Sequence, residues 1–259
     1  MSARASAAAA LGLRACSLLA SLGLAAALLP AGAHGAQIAS ISAGFSPERL
    51  GAPTTVSLGF DVRTPDGSLP SALTGIDFRY PSQLGLGTSD LGLATCDPAK
   101  LSYWGPKICP PNSIMGSGSA LAKFQVSPEV SEESASIALV AGPSEHGYMN
   151  LLIAATGAYP VAARIVMSTL VTPGNLRFSV PLVPGIPEGP DVAVVRVRIK
   201  VGGRLTYYER RHGKRVAFHP TGIKLPRHCP RGGFRFNATF SFLDGTQAQA
   251  ATVVRCPRR

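Results

Sequence analysis

Residues 229–259 read CPRGGFRFNATFSFLDGTQAQAATVVRCPRR, and this stretch decides the fold. Phe234, Phe236, Ala238, Phe240 and Phe242 alternate with Arg235, Asn237, Thr239 and Ser241, so an extended chain here is apolar on one side and polar on the other. Asp244-Gly245 follows, and TQAQAATVVR leads back. Asp-Gly between two alternating runs is a strong hairpin signal. A tight turn that sets Leu243 opposite Thr246 brings Cys229 and Cys256 together near the open end, four positions out of register. The Pro230 to Gly233 turn or a bulge at Ala250-Ala251 absorbs that offset. A bridge there removes ~3 kcal/mol of denatured-state freedom. The two cysteines are therefore expected as a staple; redox chemistry would favour a CxxC spacing near a helix start.

The same period of two recurs upstream. In TTVSLGFDVR, Val56, Leu58, Phe60 and Val62 oppose Thr55, Ser57, Asp61 and Arg63. GIDFRY sets Ile76, Phe78 and Tyr80 against Asp77 and Arg79, and NLRFSVPL sets Leu176, Phe178, Val180 and Leu182 against Arg177 and Ser179. Weaker strand patterns lie near 37–44, 119–126, 134–141, 148–155 and 161–171. Outside the N-terminal segment no window keeps a 3.6-residue stripe for three turns, which predicts an all-β chain. Irregular strand lengths and loops favour an antiparallel β-sandwich, immunoglobulin-like or related, over a barrel.

Residues 1–36 read as a secretory signal peptide. Arg4 and Arg14 precede an uncharged, mostly apolar run from Cys16 to Leu29, and small residues after Pro30 offer cleavage after Ala33, Gly35 or Ala36. Its removal leaves Cys96, Cys109, Cys229 and Cys256, an even set bound for an oxidising compartment, which predicts disulfides. Four cysteines allow three pairings. The hairpin favours Cys229 with Cys256, and the 12 residues DPAKLSYWGPKI between Cys96 and Cys109, rich in turn formers, close readily as a second bridge. Residues 37–259 are expected to form one sandwich domain with a stiff crossover at 181–191, where Pro181, Pro184, Pro187 and Pro190 recur every third position; two subdomains, 37–182 and 192–259, are the alternative.

Charge is unevenly spread. From Gln37 to Asp191 there are 8 Lys/Arg against 12 Asp/Glu, a balance of −4, whereas from Val192 onward there are 15 against 2, a balance of +13. VAVVRVRIKVGG turns Arg196, Arg198 and Lys200 to one side of a strand. LTYYERRHGKRVAFHP reads as a hairpin turning at Arg211-His212-Gly213-Lys214, with Arg210, Arg211, Lys214 and Arg215 near its tip. These seven cations are candidate anion-binding residues, with an anionic cell-wall polymer or another polyanion as partner. Basic residues on strands also serve to block edge pairing. The only tryptophan, Trp104, and Tyr103 form either a ligand platform or a small core packed on the sheet.

Catalytic patterns are poor. Gly116-Ser117-Gly118-Ser119 is no nucleophile elbow, and His146, His212, His219 and His228 are scattered with no HExxH or CxxC beside them, so no catalytic residue, metal site or cofactor is expected. Glu129, Glu132 and Glu133 read as a solvated acidic loop; a carbohydrate-active enzyme, which needs carboxylates across a cleft, is the residual enzymatic reading. Asn237-Ala238-Thr239 fits a glycosylation acceptor only weakly in mid-strand.

The runs FSPERLGAPTTVSLGFDV, LGLATC, CPPNSIMGSGSALA and LPRHCPRGGFRF, with DGT and the terminal CPRR, resemble a family of secreted β-rich proteins from high-GC actinobacteria with no known activity. The resemblance covers most of the mature chain and implies an extracytoplasmic β-protein whose cysteines pair locally. The expectation is an exported, non-enzymatic structural or interaction protein of the cell envelope, with polyanion binding through the basic C-terminal quarter as the alternative.

Overall fold

The computed structural model describes residues 37–86, 94–126, 128–158, 162–185, 190–202, 207–218 and 223–257, with backbone alone at Tyr207, Glu209 and Phe218. Residues 1–36, expected as a signal peptide, lie outside the described residues, as do Val161, Pro187 and His219. In chain order the elements are β1 (Ile38–Ser46), β2 (Pro53–Arg63), β3 (Leu73–Arg79), β4 (Gly85–Leu86), α1 (Pro98–Trp104), β5 (Ile114–Val126), β6 (Glu129–Glu145), β7 (Tyr148–Thr156), β8 (Arg164–Leu170), β9 (Asn175–Ser179), β10 (Ala193–Gly202), β11 (Tyr207–Arg211), β12 (Lys214–Phe218), β13 (Ile223–Lys224), β14 (Phe234–Phe242) and β15 (Gln247–Val254).

The protein is mostly β, and every strand pairing among the described residues is antiparallel. One nine-stranded sheet runs β4-β13-β2-β10-β5-β6-β7-β8, with β1 also paired to β2; a four-stranded sheet runs β15-β14-β3-β9; β11 and β12 form a ladder of their own. Strands from both sides of the Pro-rich stretch share each sheet. β10 lies between β2 and β5, and β14 pairs with β3.

The alternating phenylalanines explain the layering. Phe234, Phe236, Phe240 and Phe242 on β14 are buried, and they meet the apolar sides of β1 and β2: Phe45 stands edge-on to Phe234 with centroids 5.0 Å apart, and Phe60 lies 5.0 Å from Phe240. Val56, Val62, Val254 and Ala248 complete this core. At one margin of the two sheets β1 lies against β15. At the other, Thr169 of β8 donates its hydroxyl to the Arg177 carbonyl of β9 at 2.7 Å and accepts from the Arg177 N–H at 3.2 Å. Leu182, expected on the apolar side of its run, is exposed, because β9 ends at Ser179, before Pro181.

The β14–β15 hairpin differs from the expected register by one step. Ser241 faces Gln247 and Phe234 faces Val254, so the turn holds three residues, Leu243, Asp244 and Gly245, rather than two. Gly245 takes φ +80° and its N–H bonds the Phe242 carbonyl at 3.0 Å, the arrangement of a three-residue turn closed by a glycine bulge. Ala250 and Ala251 stay in regular register, and the offset is taken up at Pro230–Gly233, where the Gly233 N–H bonds the Pro230 carbonyl. Cys229 and Cys256 lie at disulfide distance, Cα atoms 6.0 Å apart, as do Cys96 and Cys109 at 5.1 Å.

The expected turn at Arg211-His212-Gly213-Lys214 is present: Arg211 faces Lys214 across two residues with φ of +48° and +76°. A second His-Gly turn, at His146-Gly147 between β6 and β7, has the same geometry and gave no signal as His-Gly upstream. Histidine, like asparagine, tolerates the left-handed region better than most residues, so the dipeptide is a readable turn signal.

A candidate anion-binding face and an exposed aromatic loop

β10 is the best place to start, because its alternation is unbroken from Arg196 to Lys200: the three cations are exposed while Val195 and Val201 are buried. Paired residues on adjacent strands share a face, so the ladder defines what surrounds each cation. Arg198 faces Gly59 of β2 and Ser119 of β5; beyond these lie Ser42 on β1 and, on the other side, Ser136, Thr156 and Arg164 on β6, β7 and β8. Arg196 sits in the next row with Asp61, Ser40, Leu121 and Ser134. Lys200 follows on the other side, between Ser57 and Ser117. The middle of the long sheet thus presents cations set among exposed hydroxyls: Ser40, Ser42, Ser117, Ser119, Ser134 and Ser136.

Two of the cations are already engaged. Arg196 Nε lies 3.0 Å from Asp61 Oδ1, and Arg198 Nη2 lies 2.6 Å from Oδ2, while Arg198 Nη1 donates to the carbonyls of Phe60 and Val197 at 2.8 and 2.9 Å. Partial burial pushes the Asp61 carboxyl up, but the hydrogen bonds and charges of the two guanidiniums outweigh it and hold it below its ordinary value. The stripe predicted from β10 alone is therefore a fork of two arginines on one carboxylate, with Lys200 one row away. Asp61 drew attention in the sequence only as the polar side of β2, since nothing local tells which strand will lie beside it.

The Gly-Ser-Gly-Ser run on β5 finds its explanation here. Ser117 and Ser119 join the open face, and a Cβ on Gly116 or Gly118, pointing to the other side, would collide with the backbone carbonyl of Lys200 or Arg198. The glycines permit the close approach of β5 and β10.

The remaining four cations divide between the two sides of the β11–β12 ladder. Arg210 faces Arg215 on the side of Tyr208, and the Arg215 guanidinium stacks 4.1 Å above the Tyr208 ring. Arg211 faces Lys214 on the opposite side. The cluster near the tip expected from sequence is present, yet it faces two ways.

The loop closed by Cys96 and Cys109 corrects two expectations. It contains the helix α1, not turns alone: the Asp97 side chain caps it by accepting from the Lys100 N–H at 2.9 Å, Pro98 stands at its start and Gly105 at its end. That Asp-Pro…Gly signature was legible and outweighs the shortness of the run. A satellite core does form under the loop, but Leu101, not Trp104, fills it, against Val140, Leu152 and Ala154. Tyr103, Trp104 and Ile108 are 74%, 65% and 50% exposed, with the Tyr103 and Trp104 rings edge to face at 4.6 Å. Arg164 of β8 ties the helix end down, donating to the Tyr103 carbonyl at 2.7 Å and the Ser102 carbonyl at 3.4 Å, its guanidinium lying against Gly105.

The acidic group Glu129, Glu132 and Glu133 is not a loop. All three sit on β6, where Glu132 pairs with Lys123 of β5 at 3.1 Å and Glu133, pointing to the other side, is buried. On the outer side of the four-stranded sheet, Asp77 receives Arg177 at 3.0 Å and Arg79 at 3.7 Å beside Asn237, Thr239 and Gln249, in a broad open depression. No helix among the described residues is long and apolar enough to cross a membrane. No protein-family model matches the chain, and no curated protein or solved structure matches it.

Proposed function

We propose that the mature chain is an exported, non-enzymatic β-sandwich of the cell envelope that holds an anionic polymer on the open face of its longer sheet. The observation that carries the reading is the row through Arg198: cation and hydroxyl side chains from six strands, Ser42 of β1 to Arg164 of β8, point to one side, with Gly59 of β2 leaving space between Ser42 and Arg198. Such a row offers hydrogen bonds and positive charge along an extended track without a cleft in which titratable groups could converge on a reacting bond. The packing of the phenylalanine side of β14 against β1 and β2 supports the sandwich reading. The N-terminal signal pattern and the two cysteine pairs support export to an oxidising compartment, as does the resemblance to secreted actinobacterial proteins.

The test is retention of the mature chain on immobilised polyphosphate and on polygalacturonate as salt is raised. Binding through Arg196, Arg198 and Lys200 falls on the order of tenfold or more between roughly 50 and 200 mM salt. Reversal of all three to Glu abolishes it. Unchanged retention of that triple variant at every salt concentration overturns the reading.

A further inference from the structure

We propose that the Cys96–Cys109 loop is an anchor for an anionic lipid surface, in which Tyr103, Trp104 and Ile108 enter the headgroup boundary while Lys100 and Lys107 meet the lipid phosphates. The proposal goes beyond polymer binding and rests on different residues.

Three large apolar side chains stand out of one short loop, and slack does not explain it. Both cysteines and Leu101 are buried, and Leu101 fills the space above Val140, Leu152 and Ala154. It is Leu101, not Trp104, that packs beneath the helix, and Arg164 holds the helix end. Exposed aromatic clusters of this kind mark surfaces that meet something apolar.

The backbone of the loop is also prepared for a place with little water. Leu101 N–H bonds the Asp97 carbonyl, Gly105 the Leu101 carbonyl, Ile108 the Gly105 carbonyl and Cys109 the Pro106 carbonyl. Arg164 serves the carbonyls of Ser102 and Tyr103, which a helix end otherwise leaves to solvent. Insertion of a loop tip into lipid demands such internal satisfaction.

Charge selects the lipid. Lys100 and Lys107 are exposed on either side of the aromatic pair, and Asp97, the one acidic residue between the cysteines, turns its carboxylate to its own helix. The helix packs on Val140, Leu152, Ala154 and Val166, which by register share the side of the sheet that carries Arg196, Arg198 and Lys200. An anionic surface is attracted to that side as a whole.

Other occupants fit less well. The rings meet at 74°, so they do not form one flat platform for a sugar or a base. Three side chains are far short of the roughly 800 Å² that a stable protein partner covers on each side. Tyr and Trp with flanking Lys are the residues that favour the membrane interface.

Trp104 is the only tryptophan, so its fluorescence reports on this loop alone. The mature chain is titrated with vesicles of phosphatidylcholine and with vesicles that also contain phosphatidylglycerol. The anionic vesicles shift the emission to the blue, acyl-chain bromine quenches it, and added salt weakens the binding. Lys100→Ala and Lys107→Ala each weaken it about fivefold, the equivalent of about 1 kcal/mol per charge. Tyr103→Ser with Ile108→Ser removes the bromine quenching, while neutralising Arg196, Arg198 and Lys200 leaves the blue shift at saturating lipid intact. The proposal is overturned by an unshifted spectrum with anionic vesicles, by insensitivity to both lysine substitutions, by the same shift with polyphosphate alone, or by a shift that follows protein concentration without lipid.

Discussion

Arg198 lies across Gly59: a Cβ on that glycine would stand 2.8 Å from Arg198 Cδ and 3.0 Å from the Val197 carbonyl oxygen. The guanidinium reaches Asp61 because nothing projects from β2 beneath it. Gly59→Ala therefore lifts Arg198 off the strand and presses on the β10 backbone. The expected cost is about 1–2 kcal/mol in urea denaturation. NMR titration should find the Asp61 midpoint closer to the ordinary carboxylate value, and an unmoved midpoint refutes the assigned packing.

The fork on Asp61 also sets a pH dependence. Its carboxyl is held below the ordinary value in the folded state, so the stabilisation is present above the unfolded-state pKa of about 3.9 and is lost as pH falls through the lower folded value. The group is partly exposed, which limits the effect to about 0.2–1 kcal/mol. Asp61→Asn should flatten this part of the acid limb of a stability profile. It should also prolong retention on polyphosphate at neutral pH, since Arg196 and Arg198 are then unneutralised.

Phe236 is buried between the sheets, 6.0 Å from Phe78 and 6.2 Å from Phe45. Phe236→Ala is expected to cost about 3–5 kcal/mol. Val253 on the outer side of β15 is exposed, and Val253→Ala should change stability by less than about 0.5 kcal/mol. Equal costs, measured by equilibrium unfolding, would reverse the assignment of inner and outer faces.

Cys229 and Cys256 join the ends of β14 and β15 across a sequence separation of 27, and Cys96 and Cys109 across 13. Replacing either pair by Ser should lower stability by about 3 kcal/mol, with the longer loop losing slightly more. Only loss of Cys96–Cys109 should alter Trp104 emission, because only that pair flanks the helix that carries it.

Gln37 is a buried polar residue before β1, with its amide donating to Asp244 Oδ2 at 3.0 Å and its carbonyl accepting from the Thr246 hydroxyl. Gln37→Ala removes both contacts to the β14–β15 turn. Amide exchange at Thr246, whose N–H bonds Asp244 Oδ1 at 3.0 Å, should accelerate several-fold while β14 interior amides remain unchanged. Uniform acceleration would mean that the residue supports the whole sheet.

Much of the architecture follows from stereochemistry that acts within a few residues. Successive side chains of an extended chain point to opposite sides, so Phe234 to Phe242, Val56 to Val62 and Arg196 to Lys200 could be sorted into inner and outer sets before any neighbour was known. Asp244-Gly245 fixed a turn because few residues accept the left-handed backbone, though its length differs by one residue from the expectation. The same locality made the seven-residue helix readable in Asp97-Pro98…Gly105, where a search for long amphipathic stripes misses it.

The sequence by itself determined the strongly alternating strands such as β2, β3, β9, β10 and β14, their buried sides, the hairpin ends at which cysteines meet and the excess of cations in the final quarter. Only the tertiary structure decided that Asp61 receives Arg196 and Arg198, that Glu133 turns inward, that Arg164 holds the end of α1 and that Leu101 rather than Trp104 fills the space beneath it. The division has one physical cause. Which face a side chain takes is set by its own backbone, whereas its partner is set by the order and register of strands distant in the chain, where the matching of whole apolar surfaces outweighs any single residue's preference.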